Sequence, residues 1–281
     1  MSSATLDTSA GKLTARYLPF IALIVVYSPA LYELIVNWSQ DANYSHGFLV
    51  PLVSAWLLWR KRAELKTVAR TTDAFGLAIV IIAGFMFVLG NAGAEYFTMR
   101  LSFVVALFGL VLYLFGRSVV RLVWFELAFL CFMIPIPYVV YYALTFPMQL
   151  LASKITAGIL SGIGMAVYRQ GNILHLPGGM SLEVAEACSG MRSLVSLLAL
   201  GALYAYITQK RFSAKVILFL STVPIAVAAN VFRVLVTALL ATTVTTEVAT
   251  EPIHSLMGLS VFVVSFILLF IFGAILKAVF K

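Results

Sequence analysis

Charged residues are scarce in this sequence, and their scarcity decides the class of protein. Only 11% of the 281 residues are charged, while 62% are hydrophobic and the mean hydropathy is +1.04. Soluble chains carry roughly 25% charged residues, and a soluble domain of this size could not hide so much apolar surface. The sequence therefore predicts an all-α polytopic membrane protein with little of its chain outside the bilayer.

Cysteine and histidine are also few. Two cysteines are too few for the disulfide framework of small secreted domains. Cys131 lies within an apolar run and is predicted to be an inert packing residue. Cys188 lies among polar groups at the edge of an apolar run, where reactive thiols occur. A metal site made of Cys188 and the three histidines would lack paired ligand spacing, so we predict no metal and no other cofactor.

The net charge of +8 comes from basic residues that cluster in short segments beside apolar runs. In such positions lysine and arginine set membrane topology and contact anionic lipid. We therefore predict membrane lipid as a partner and exclude nucleic acid. The two clearest basic segments, Arg60-Lys61-Arg62 and Lys210-Arg211, are assigned to the cytoplasmic side.

Counting apolar runs from these basic segments predicts about eight transmembrane helices, with both termini in the cytoplasm. A span needs about 20 apolar residues. Residues 1–16 are predicted to be a disordered cytoplasmic N-terminus, and 17–281 a single membrane-embedded domain. The predicted spans are 17–36, 46–59, 75–91, 101–115, 122–137, 193–207, 214–241 and 254–277.

One segment, 138–167, breaks this alternation. Because Pro137 and Cys188 both have to lie outside, the segment is predicted either to lie in the outer interface or to enter and leave the membrane as a hairpin. Its tyrosines favour the interfacial helix. After it, the Pro177-Gly178-Gly179 turn between 172–176 and 180–184 predicts a small β-hairpin. Together, 138–186 are predicted to form an outer-face interfacial helix and hairpin that lead into Cys188.

The same count brings three chemically active residues to the outer face. Cys188 begins the sixth span, and His254 begins the eighth. Arg233 lies 19 residues into the seventh span, which is about 28 Å from its cytoplasmic start. A thiol, an imidazole and a guanidinium can carry out acyl transfer, with the guanidinium stabilising the oxyanion. Taken singly, Cys188 could equally be a packing thiol and Arg233 a lipid-headgroup anchor.

Three sequence blocks resemble the exosortase/archaeosortase family. They are Glu186-Ala187-Cys188-Ser189-Gly190, Asn230-Val231-Phe232-Arg233, and His254 followed by Gly258. The segment from Tyr44 to Pro51, with its Ser45-His46-Gly47 core, is similar to the N-terminal region of that family. The likeness spans most of the chain from Tyr44, and Ser255 stands where many members carry Asp.

The resemblance implies a membrane-embedded cysteine protease or transpeptidase of bacterial exosortase type. Such an enzyme recognises the C-terminal sorting tail of an exported protein, which consists of a Pro-Glu-Pro-type motif (PEP-CTERM-like), a transmembrane helix and a basic end. By this resemblance Cys188 is the nucleophile, His254 the acid/base and Arg233 the electrostatic stabiliser. The expected location is the bacterial inner membrane with the active site at its periplasmic face, and the expected product goes to a surface acceptor.

Four further residues are candidates for binding the tail: Glu186, Ser189, Arg192 and Asn230. Arg192 alternatively pairs with Glu251 or with a lipid phosphate, and Asn230 alternatively orients Arg233 or bonds between helices. His46 and His175 compete with His254 for the role of acid/base. Two other functions stay open: a transporter or assembly component for envelope polysaccharide (exopolysaccharide), and a tail receptor without catalysis.

Overall fold

The structure is a computed structural model that describes residues 7–184, 192–243 and 253–280. Side chains are described for residues 17–184, 194–240, 242 and 262–280. Contacts within the chain divide it into two units, Met1–Ile136 and Pro137–Lys281.

All secondary-structure elements in the described part of the first unit are helices. Asp73 and Glu95 precede two of its helices, and their carboxylates accept hydrogen bonds from the amides of Phe75 and Thr98 in the first turns of those helices. The elements in order are α1 (Asp7–Gln40), a 3₁₀ helix (Ala42–Phe48), α2 (Leu49–Arg60), α3 (Arg62–Thr67), α4 (Ala74–Ala92), α5 (Tyr96–Phe115), α6 (Arg117–Phe129) and a second 3₁₀ helix (Leu130–Met133).

The second unit combines helices with a small antiparallel sheet. Its elements are α7 (Tyr138–Gly162), β1 (Tyr168–Gln170), β2 (Ile173–His175), β3 (Ser181–Glu183), α8 (Arg192–Thr208), α9 (Phe212–Thr243) and α10 (Ile253–Val279). The strand order is β1-β2-β3.

Six helices in the described ranges are long and apolar enough to cross a membrane, which agrees with a polytopic helical protein. Five of them correspond to predicted spans, and the sixth is α7. The stretches are Tyr17–Gln40, Ala74–Ala92, Tyr96–Phe115, Tyr138–Gly162, Phe212–Leu240 and Phe262–Val279.

The other three predicted spans lie on α-helices of fewer than 18 residues, and two of these helices, α2 and α6, are shorter than their predicted spans. They correspond to α2, α6 and α8, with 12, 13 and 17 residues. The apolar run 46–59 begins inside the first 3₁₀ helix, and the run 122–137 ends in the second. Their apolar residues are therefore not all in one α-helix, which explains why hydropathy alone overestimated their α-helical length.

The segment after Pro137 forms one continuous helix, α7, with Pro147 inside it. This excludes the hairpin that we considered for 138–167. A helix of this length and composition can also cross a membrane once, which the topology count had set aside.

Helix α1 begins earlier than its apolar span. It starts at Asp7, within the segment predicted to be disordered. Residues 7–16 are helical because adding a residue to an existing helix gains a hydrogen bond without a new nucleation step.

Helices α4 and α5 pack closely because glycine lies at their contacts. A Cβ on Gly76 would collide with the backbone of Tyr113, and one on Gly90 would collide with the backbone of Met99. Gly116, at φ +83°, is the single residue between α5 and α6, and a glycine tolerates this backbone conformation.

Two ion pairs fix the ends of helices in this unit. Arg117 Nε lies 2.6 Å from Asp73 Oδ2, and the Phe75 amide together with this guanidinium holds the pKa of Asp73 below its usual value. Lys61 Nζ lies 2.8 Å from Glu126 Oε1, and the Glu126 side chain is fully buried. The second pair joins the end of α2 to α6.

We expect Lys61→Met to destabilise the protein, because it removes the ammonium group that lies 2.8 Å from the buried Glu126 carboxylate. Breaking such pairs costs about 3–5 kcal/mol in known cases. The measurement is thermal unfolding of the purified protein in detergent. Lys66→Met, at an exposed lysine on α3, is the matched control and should unfold like the native chain. Equal losses in the two variants would contradict the prediction, and adding Glu126→Gln to Lys61→Met should recover stability.

Candidate active site

The predicted hairpin is present in the second unit. Strands β2 and β3 pair with Leu174 opposite Leu182, and the Pro177-Gly178-Gly179 turn lies between them, with positive φ at both glycines. The prediction is therefore confirmed. An additional strand, β1, pairs with β2 through the two-residue turn Gly171-Asn172, in which Gly171 has φ +63°.

Apolar side chains attach this sheet to α7 and α9. Leu174 and Val184 are fully buried in one cluster with Ala152 of α7 and with Val231 and Val234 of α9. A second cluster contains Leu160 of α7, Leu176 just after β2, and Ala238 of α9. The sheet therefore shares its apolar core with the part of α9 from Val231 to Leu239.

The same part of α9 also carries a polar face. Asn230, Arg233 and Thr237 follow one another at helical spacing, and all three are buried. Arg233 is only 6% exposed, whereas an arginine that anchors the helix to lipid headgroups would extend outward. It lies seven residues, or about 10 Å, from the end of the candidate span at Leu240. The structure thus favours an internal role for Arg233 over the lipid anchor.

The other predicted site residues belong to parts of the chain for which less is described. Glu186, Cys188 and Ser189 lie outside the described residues. Arg192 is the first residue of α8 and His254 the second residue of α10, and their side chains lie outside the described set. Their proximity to Arg233 stays a prediction.

The two competing histidines have defined neighbours. His175 lies on β2, with its Nδ1 2.8 Å from Ser181 Oγ and its ring stacked on Tyr168. His46 lies in the first unit, where its Nε2 is 3.2 Å from the Phe132 carbonyl oxygen.

The contacts around His46 explain the block that resembles the family's N-terminal region. Trp38 Nε1 donates to the Met133 carbonyl at 2.8 Å, and the Tyr44 hydroxyl reaches the Ile136 carbonyl at 3.5 Å. Together with His46, these side chains attach the end of α1 and the first 3₁₀ helix to the backbone of residues 132–136. A scaffold role accounts for the block without assigning it any chemistry.

Cys131 differs from its prediction as a packing residue. It is exposed on the second 3₁₀ helix, because Leu130 and Met133 are the residues of that helix that face the core. Among the side chains that the structure describes, no three of His, Cys, Asp and Glu form a metal-binding group.

Sequence reasoning missed a polar face on α7. Thr145, Gln149, Ser153 and Thr156 are buried, although each is a polar residue in an apolar helix. Their spacing of four, four and three residues is the signal that could have identified them, because it places all four on one face.

These features define a helical multi-pass membrane protein with a polar cluster against its small sheet. Residues 38–271 match the family model described as "Transmembrane exosortase (Exosortase_EpsH)". Since the match covers well over half of the chain, the chain belongs to the exosortase family, as its motifs indicated. The same comparisons gave no significant match among curated proteins or among solved structures.

The turn of the hairpin gives a direct test of the sheet geometry. We expect Gly179→Ala to destabilise the protein by about 1–2 kcal/mol, because its φ of +80° is costly for a residue with a Cβ. Gly158→Ala on α7 is the matched control: a Cβ there meets nothing within 4 Å, and alanine favours helix. The measurement is the rate of limited proteolysis within residues 168–184 in each of the two variants. Equal cleavage of the two variants would show that the turn does not require this backbone conformation.

Proposed function

We propose that this chain is a membrane-embedded cysteine protease or transpeptidase that cleaves the C-terminal sorting tail of exported proteins. The observation that carries the proposal is one apolar cluster that contains Val184 together with Val231 and Val234, which flank Arg233 in the sequence. Cys188 follows Val184 by four residues, and four residues reach at most about 14 Å. A reach this short supports the proposal that Cys188 acts together with the buried Arg233.

In the first step, the thiolate of Cys188 attacks the scissile carbonyl carbon and forms a C–S bond. Arg233 stabilises the oxyanion of the tetrahedral intermediate. The C–N bond then breaks, His254 gives a proton to the leaving amine, and a thioester remains on Cys188. Glu186, Ser189, Arg192 and Asn230 bind the tail.

In the second step, water or an amine or hydroxyl group of a surface acceptor attacks the thioester carbonyl. His254 takes the proton of the attacking group, the C–S bond breaks, and the thiolate of Cys188 is regenerated. The tail that we propose has a Pro-Glu-Pro-type motif, a transmembrane helix and a basic end. The reaction takes place at the periplasmic face of the bacterial inner membrane.

The test is processing of a reporter that carries such a tail, co-expressed with the native chain, Cys188→Ala or Cys131→Ala. We expect cleavage by the native chain and by Cys131→Ala, and none by equally abundant Cys188→Ala. Cys131→Ala is the matched control because it removes the other cysteine of the chain. Cleavage by Cys188→Ala equal to native would refute the thiol mechanism and favour a receptor or transporter.

Substitution of Arg233 tests the oxyanion role. We expect Arg233→Gln to lower the rate of cleavage per Cys188 thiol about a hundredfold, in line with the loss of an oxyanion donor. Arg233→Lys keeps the charge but loses the planar set of N–H donors. Its cleavage rate should lie between those of the native chain and Arg233→Gln. Thr222→Val, at another buried polar residue of α9, is the control and should keep the native rate. A native rate in Arg233→Gln would remove Arg233 from the mechanism.

A further inference from the structure

Helix α7 buries four polar side chains on one face, and two of them reach the sheet. The hydroxyls of Thr145 and Thr156 have no hydrogen-bond partner within the described part of the chain. Gln149 and Ser153, which are 3% and 0% exposed, both contact the turn between β1 and β2. A buried polar group costs free energy unless it is hydrogen-bonded, so these two contacts favour one position of the turn.

Two hydrogen bonds make these contacts. Ser153 Oγ donates to the Gly171 carbonyl at 2.9 Å and is also 3.0 Å from the Leu150 carbonyl of its own helix. Asn172 Nδ2 donates to Gln149 Oε1 at 3.4 Å. Both residues of the Gly171-Asn172 turn are therefore hydrogen-bonded to a side chain of α7.

The same turn holds the strand that leads toward Cys188. The Val184 amide donates to the Asn172 carbonyl at 2.8 Å, beyond the last paired residue of β3. A hydrogen-bonded path therefore runs from Gln149 and Ser153 through Gly171-Asn172 to Val184. Val184 also belongs to the apolar cluster that contains Val231 and Val234 of α9.

We propose that Gln149 and Ser153 are positioning residues for the nucleophile, an inference that rests on the proposed function. They act through the Gly171-Asn172 turn and Val184 to set where the Cys188 segment begins relative to Arg233. They contact neither the tail nor the reacting atoms. Since a misplacement of about 1 Å can cost about a hundredfold in rate, loosening this path should slow the chemical step more than it weakens binding of the tail.

The experiment compares Gln149→Leu and Ser153→Ala in the full chain, with Cys131→Ala added so that Cys188 is the remaining thiol. Thr156→Val is the matched control, because Thr156 is buried on the same face of α7 but does not contact the turn through a hydrogen bond in the described residues. The first quantity is the second-order rate constant for alkylation of Cys188 by iodoacetamide at fixed pH. The second is the pair kcat and KM for the tail reporter, with kcat expressed per alkylatable Cys188.

We expect both variants to slow alkylation about threefold or more, because a displaced thiol loses the neighbours that favour its thiolate. They should lower kcat about tenfold and leave KM within about twofold. Thr156→Val should match the native chain in all three quantities. A variant that only unfolds a fraction of the molecules would lower the number of thiols that react with the native rate constant. The rate constant of the folded molecules would stay unchanged.

Native or faster alkylation in both variants would overturn the positioning role. A change of equal size in Thr156→Val would also overturn it, because the effect would then come from general loosening of α7. If the native chain leaves the reporter uncut, the proposed function fails, while the alkylation constants still decide whether Gln149 and Ser153 position Cys188.

Discussion

The burial of Leu174 and Val184 against α7 and α9 is the contact on which the second unit depends. The sheet has three strands of three residues each, and so small a sheet is at best marginally stable alone. Its apolar residues stabilise it only because Ala152, Val231 and Val234 cover them. The path of the chain from Tyr168 to Val184 is therefore set by helix packing, and the turns and strand pairing adapt to it.

Much of the fold could be predicted because bilayer thickness and glycine conformation impose patterns on the sequence. Long apolar runs identified five of the six candidate spans, and Pro177-Gly178-Gly179 identified the hairpin. Strand β1 was missed because Tyr168, Arg169 and Gln170 are all exposed, so no alternation of apolar and polar residues marks it. The 3₁₀ segments were missed because hydropathy does not distinguish them from α-helix.

The candidate site was less accessible to prediction, because burial depends on how each helix is rotated. The sequence placed Arg233 near the end of a span, where it could equally face lipid or protein, and only the packing of α9 shows that it is buried. The polar face of α7 was visible as a spacing, but its contacts with Gly171 and Asn172 require knowledge of the turn. The roles of Cys188 and His254 come from motif resemblance and stay predictions.

The hairpin turn at Pro177-Gly178-Gly179 is exposed, while both strands beside it are anchored through Leu174, Leu176 and Val184. Lengthening such a loop costs only about 0.6 kcal/mol for each doubling of its length. We therefore expect a short epitope with flexible ends, inserted there, to leave these anchored residues packed against the helices. Antibody access to this epitope in intact spheroplasts would show on which side of the membrane the sheet lies.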